Sequence, residues 1–174
     1  MDESTHFLGR AMACVVLPHL GGDGPSLGSH QLQREIVAGQ VRKLLEVAGP
    51  SGKGLLRMNP DHELIIGISG KSIDNNSLSQ DSKGPFDNVR FTDAAKSTKS
   101  TLFAGQHRIE TLNQLLQDTI KELKRVKARL VEQPENITIE NLHTELFTML
   151  QEKGRWLVAF YDLGKPTSKL AFGI

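Results

Sequence analysis

A long amphipathic helix that directly follows a short apolar strand is the feature that most constrains this fold. Large aliphatic residues recur at steps of three and four, which is the spacing of one face of an α-helix; they are Ile109, Leu112, Leu115, Leu116, Ile120, Leu123, Val126 and Leu130. The residues "STLFAG" before this run are typical of a strand, and Pro134 lies just beyond its end. The pattern therefore predicts a strand joined within a residue or two to a helix over 105–131.

Other apolar segments predict the remaining elements. "AMACVVLPHL", "HELIIGIS" and "RWLVAFYDL" are typical of strands, and "GGDGPSLGS" is typical of a loop. Two further helices are predicted, one from Ser29 as N-cap to Gly49 as stop, and one from Thr138 as cap to Gly154 as stop. The order strand, helix, strand, insertion, strand, two helices, strand predicts an α/β (α+β) fold with a small mixed sheet packed with helices.

The chain length of 174 residues favours a single domain over 1–174. Between about 69 and 100 the composition changes to Ser, Asp, Asn, Lys and Gly, which offers too little apolar surface to offset the entropy of ordering. We therefore expect a polar, flexible insertion there. Its best candidate for order is a short edge strand around Phe86, Val89 and Phe91.

Charge and cysteine content exclude several classes of protein. The net charge of +1 gives no global attraction to DNA or membranes, so any anion binding has to be local. The single cysteine, Cys14, excludes an intrachain disulfide framework and is expected to be a buried thiol. The start of the sequence lacks the pattern of a secretory signal, and no apolar run is long enough to span a bilayer. We expect no membrane association, no metal-ligand cluster, and a cytoplasmic or nuclear location.

The segment "IIGISGKS" resembles a phosphate-binding P-loop only superficially. That motif needs a glycine where this chain has Ile65, and a helix that begins at Lys71 and Ser72. The residues that follow are typical of turns, so we predict no P-loop here.

The junction at "AGQHR" has chemistry suited to an anion. The first N–H groups of a helix have no intrahelical partner, and together with the helix dipole they attract anions. Gly105 allows the backbone to approach a ligand closely or to take a positive φ. His107 and Arg108 put cationic donors on the first turn of the helix, where Asp or Glu would be favoured for stability alone. A bound phosphate would account for this choice of residues; an alternative is that both side chains point to solvent and the glycine only makes a turn.

The segment "FAGQHRIETL" resembles the nucleotide-binding signature of the ParB/sulfiredoxin-like fold, and is similar to the Asp-Gly-Gln-His-Arg motif of a group of bacterial DNA-modification-associated proteins. The resemblance implies that Gly105, Gln106, His107 and Arg108 bind the phosphates of ATP or another nucleotide, with or without magnesium. Gln106 stands where sulfiredoxins have their catalytic cysteine, which argues against sulfinic acid reduction. If the protein is an enzyme, phosphoryl transfer or nucleotide hydrolysis is implied, with His107 as acid/base or phosphate donor and Glu110 as the nearest carboxylate for a metal ion.

Two further predictions concern residues outside this motif. Lys99, with Lys96, is predicted to close over the ligand like a lid, and Arg34 to approach the same pocket.

The alternative function is a non-catalytic module that binds nucleic acid through a basic helix face; the residues of that face are Lys121, Lys124, Arg125, Lys127 and Arg129. Aromatic residues make up only 5% of the chain, so stacking on single-stranded bases is disfavoured. A degenerate domain that has lost its ligand is the third alternative.

Overall fold

A computed structural model describes residues 6–29 and 35–164 of the chain. Its regular elements, in chain order, are β1 (Phe7–Cys14), β2 (Ser26–Ser29), α1 (Ala38–Ala48), β3 (Leu64–Ile68), β4 (Lys99–Ala104), α2 (Gln106–Leu115), α3 (Gln117–Glu132), α4 (Ile137–Lys153) and β5 (Arg155–Asp162). The predicted mixed α/β architecture is confirmed.

The sheet is mixed, with the strand order β1-β5-β3-β4-β2. β5 pairs parallel with β3 and antiparallel with β1, while β4 pairs antiparallel with β3 and parallel with β2. All residues from 156 to 160 of β5 are buried, which explains why this strand reads as a continuous apolar run rather than an alternating one. Helix α1 packs against α2, and α3 packs against α4, which also contacts β1.

The helix predicted over 105–131 is two helices that meet at Leu116, where the backbone leaves helical geometry at φ −105° and ψ 10°. The prediction of one continuous helix is therefore wrong. Leu112 of α2 packs into the main core with the sheet, whereas Leu123 of α3 packs with Leu150 of α4 in a second cluster. The break lets the two segments bury their apolar residues in different clusters.

The structure also corrects the predicted starts of two helices and the predicted loop before the first of them. Helix α1 begins at Ala38 and not after Ser29, the predicted N-cap. Ser29 is instead the last residue of strand β2, which lies within the predicted loop. Helix α4 is capped by Asn136, whose Oδ1 accepts a hydrogen bond from the Ile139 N–H at 3.2 Å, rather than by Thr138. The predicted helix stops at Gly49 and Gly154 are confirmed.

The segment over 69–100 runs beside the outer edge of the sheet before it enters β4. The main-chain N–H of Arg10 donates to the Ser79 carbonyl, and that of Met12 donates to the Asp87 carbonyl, each at 2.8 Å. An isolated bridge joins Phe91 to Ile73 in place of the predicted edge strand. This segment thus supplies hydrogen-bond partners to backbone groups on the outer edge of β1, which would otherwise be unpaired.

Candidate anion-binding site

Gly105 connects β4 to α2 through a backbone conformation that other residues rarely adopt. It is the N-cap of α2, with φ +108° and ψ 14°. A Cβ at this position would lie 2.2 Å from Cδ2 of Leu64, which is fully buried in β3. Both the positive φ and the contact with the sheet therefore require glycine here, so the N-cap residue itself has no side chain with which to cap α2.

A cavity of about 420 Å³ opens in front of this junction. Three of its lining residues come from the predicted motif and three from α1; they are Gly105, His107, Arg108, Gln40, Lys43 and Leu44. Its size lies within the usual range for small-molecule sites. None of the described residues that line it carries a carboxylate, and two of them, Lys43 and Arg108, are basic.

Arg108 brings an unneutralised guanidinium to this cavity. The nearby Glu63 carboxylate is bound by Arg10, with 2.6 Å between Nε and Oε2, while Arg108 donates through Nη1 to the main-chain oxygen of Glu63 at 3.4 Å. Within the described ranges Arg108 forms no ion pair. Burial lowers the pKa of Arg108, because a guanidinium partly removed from water is less stable in its charged form. An anionic partner would offset this cost.

The imidazole of His107 joins the motif to the start of α1. Its Nε2 accepts a hydrogen bond from the Val37 N–H at 3.0 Å, immediately before α1 begins. Because Nε2 is an acceptor in this geometry, the neutral ring carries its proton on Nδ1. The ring can therefore donate one further hydrogen bond, through Nδ1–H, while Nε2 is already bonded to the Val37 N–H.

Lys43 and Gln40 are the site residues that the sequence analysis missed. Both lie within the first predicted helix, but the sequence pattern assigns neither of them to the ligand. Residues 40, 43 and 44 are separated by three and four positions and so share one helical face. The sequence does show a lysine next to the apolar face of α1, which could have indicated a binding residue. That this face turns toward the motif is shown only by the packing of α1 against α2.

The structure does not bring the remaining predicted residues into the cavity lining. Gln106 is the partly buried first residue of α2 and is not among the lining residues. Glu110 also lies outside the lining, and its carboxylate accepts a hydrogen bond from the Gln114 amide at 3.2 Å. Lys99 is the first residue of β4 and lies at the opposite end of that strand from Gly105, about 20 Å away at the rise of an extended chain. The predicted lid role of Lys99 is therefore not supported by its position, and the same holds for the nearby Lys96.

Several other predictions can be compared with the described residues. Lys71 and Ser72 lie in a three-residue 3₁₀ turn rather than at the start of a helix, as expected for a segment that is not a P-loop. Cys14 is buried in β1, where its Sγ donates to the Leu150 carbonyl and burial raises the pKa of the thiol. Arg34 lies outside the described residues.

Within residues 6–29 and 35–164, no group of three or more His, Cys, Asp or Glu side chains could hold a metal ion. In the same ranges, no helix has the length and apolar character needed to cross a bilayer.

No protein-family model matches the sequence, and comparisons with curated proteins and with solved structures gave no match. The resemblance to the ParB/sulfiredoxin-like fold thus depends on the motif at 102–112 and the order of elements. It stays a prediction.

Proposed function

We propose that this protein binds a nucleotide, ATP by default, with its phosphates in the cavity between α1 and the start of α2. The observation that carries the proposal is the convergence of Lys43, His107 and Arg108 on one cavity whose described lining residues include no carboxylate. Gly105 adds, at the same place, a helix N-terminus whose N-cap residue has no side chain. Such a helix end and cationic side chains are both favourable to phosphate oxygens.

Four of the lining residues have distinct roles in this proposal. Arg108 supplies a planar fork for two phosphate oxygens, Lys43 supplies a mobile cation from α1, and His107 donates from Nδ1. Leu44 provides an apolar surface that a nucleobase can contact. These roles describe binding by positioning and charge neutralisation, and His107 acts in them as a donor because its Nε2 already accepts from Val37.

Binding of nucleic acid through the basic face of α3 is the weaker alternative. The five cationic residues of that face are all exposed, but Arg125 forms an ion pair with Glu122 on the same helix. Part of the positive charge is therefore neutralised within α3 itself. A solvated helix surface accounts for the remaining lysines.

Thermal unfolding in the presence of candidate ligands tests the proposal. The protein is melted with ATP, with CTP and with a short DNA duplex, each with and without magnesium. A nucleotide at one hundred times its Kd stabilises the native state by about 2.7 kcal/mol, which raises the Tm of a chain of this size by about 5–10 °C. A rise with nucleotide supports the proposal, whereas a salt-sensitive rise with DNA alone supports the alternative and overturns it.

Two substitutions that introduce a carboxylate locate the ligand. In His107→Glu the carboxylate can still accept from the Val37 N–H, and an acidic residue in the first turn favours the helix, so the fold is retained while phosphate is repelled. Arg108→Glu removes the guanidinium. We expect both variants to lose the nucleotide-induced rise in Tm, and Lys99→Glu to keep it because Lys99 lies at the far end of β4.

A further inference from the structure

A second cavity, of about 580 Å³, lies on a different part of the molecule. It is lined by segments 52–58 and 86–88, by the junction of α4 with β5, and by Met12 of β1. It has no lining residue in common with the cavity beside Gly105.

Two arginines of this cavity are held close together by main-chain carbonyl groups. Arg57 donates through Nη1 to the carbonyl of Lys153, the last residue of α4, and to that of Arg155 at 3.5 Å. Arg155 donates through Nε to the Glu152 carbonyl at 3.3 Å and through Nη1 to the Asn88 Oδ1 at 2.9 Å. The negative end of α4 favours cations at this point, which explains why both side chains gather there.

No carboxylate in the described part of the chain pairs with either guanidinium. Asp87 and Glu152 line the same cavity but are exposed to solvent, whereas Arg57 and Arg155 are partly buried. Burial, followed by repulsion from Arg155, lowers the pKa of Arg57. The two like charges therefore lie near each other, and neither forms an ion pair within residues 6–29 and 35–164, so an anion between them would relieve the repulsion.

Apolar side chains adjoin the arginine pair. Met12 and Leu55 are each only 8% exposed, while Met58 is 70% exposed at the surface; Phe86 completes the apolar lining. We propose that this cavity binds a small organic anion, a phosphate ester or carboxylate with an apolar body, whose charged group lies against Arg57 and Arg155. This site is independent of the proposed nucleotide site, so the failure of either leaves the other standing.

Titration with phenyl phosphate, followed by ¹H–¹⁵N NMR that includes the arginine Nε–H signals, tests this inference. Inorganic phosphate, which has the charge without the ring, and phenol, which has the ring without the charge, serve as half-ligands. We expect phenyl phosphate to shift the Nε–H signals of Arg57 and Arg155 and to bind about tenfold more tightly than either half-ligand, since both the charge and the ring are used. Arg57→Lys and Arg155→Lys assign the two signals.

Variants then separate a specific site from general attraction to a cation. Arg155→Gln should weaken phenyl phosphate about tenfold, as expected when one charge-assisted hydrogen bond is lost. Met58→Glu changes an exposed side chain, so it preserves the fold while placing a negative charge at the cavity; we expect binding about fivefold weaker. Lys127→Gln on α3 should have no effect. Unchanged arginine signals, equal binding of the half-ligands, or wild-type affinity in Met58→Glu would overturn the inference.

Discussion

Replacement of Gly105 by alanine should destabilise the fold by several kcal/mol, because the new methyl group meets two separate obstacles. The φ of +108° is unfavourable for any residue with a Cβ, and such backbone strain costs about 1–3 kcal/mol. The added Cβ would also lie 2.2 Å from Leu64 Cδ2. Leu64 is 0% exposed and cannot move aside freely, so overpacking adds about 1–3 kcal/mol. The total, about 2–6 kcal/mol, is a large part of the stability of an ordinary domain.

Urea unfolding, followed by the fluorescence of the single tryptophan, Trp156, measures this loss. With a denaturant slope of about 2 kcal/mol/M, the midpoint should fall by about 1–3 M. Gly39→Ala is the matched control, because Gly39 lies in α1 with no positive φ and with nothing within 4 Å of an added Cβ. It should raise the stability by about 0.5–1 kcal/mol. Similar midpoints for the two variants would refute the reasoning about the junction.

The remaining predictions concern three other contacts. Arg10→Met leaves the Glu63 side chain, which is 17% exposed, without its partner; we expect a loss of about 1–3 kcal/mol in urea, and an unchanged midpoint would contradict this. Because burial raises the pKa of the Cys14 thiol, it should not react with Ellman's reagent until the chain unfolds. For the same reason the free energy of unfolding should fall as pH rises above about 8.5, where the unfolded thiol ionises first; a decline of equal size in Cys14→Ala would contradict it. His107→Phe removes the acceptor for the Val37 N–H, so that amide should exchange with solvent faster than in wild type or His107→Gln, and equal rates would refute the contact.

Local sequence pattern was enough to predict the junction of β4 with α2. An apolar run, a glycine and a helical repeat define it without any long-range contact, and the structure confirms that Gly105 begins a helix in a positive-φ conformation. The apolar strands β3 and β5 were predicted for the same reason, because buried central strands are continuously apolar.

Features that depend on distant contacts were not predicted. Strand β2 is short and rich in serine and glycine, so it has little strand propensity of its own and depends on pairing with β4. The break at Leu116 follows from the separate packing of α2 and α3, which the continuous apolar repeat does not reveal. Lys43 enters the site only because α1 packs on α2. Lys99 is close to the motif in sequence, but an extended strand separates the two in space.

Calorimetric titration of ATP into the wild-type protein and into two lysine variants tests the central claim most directly. Lys43 lines the cavity beside Gly105, whereas Lys99 lies at the far end of β4. The account predicts measurable binding to wild type, about tenfold weaker binding to Lys43→Gln, and unchanged binding to Lys99→Gln. Absence of binding to wild type, or an equal loss in the two variants, would contradict it.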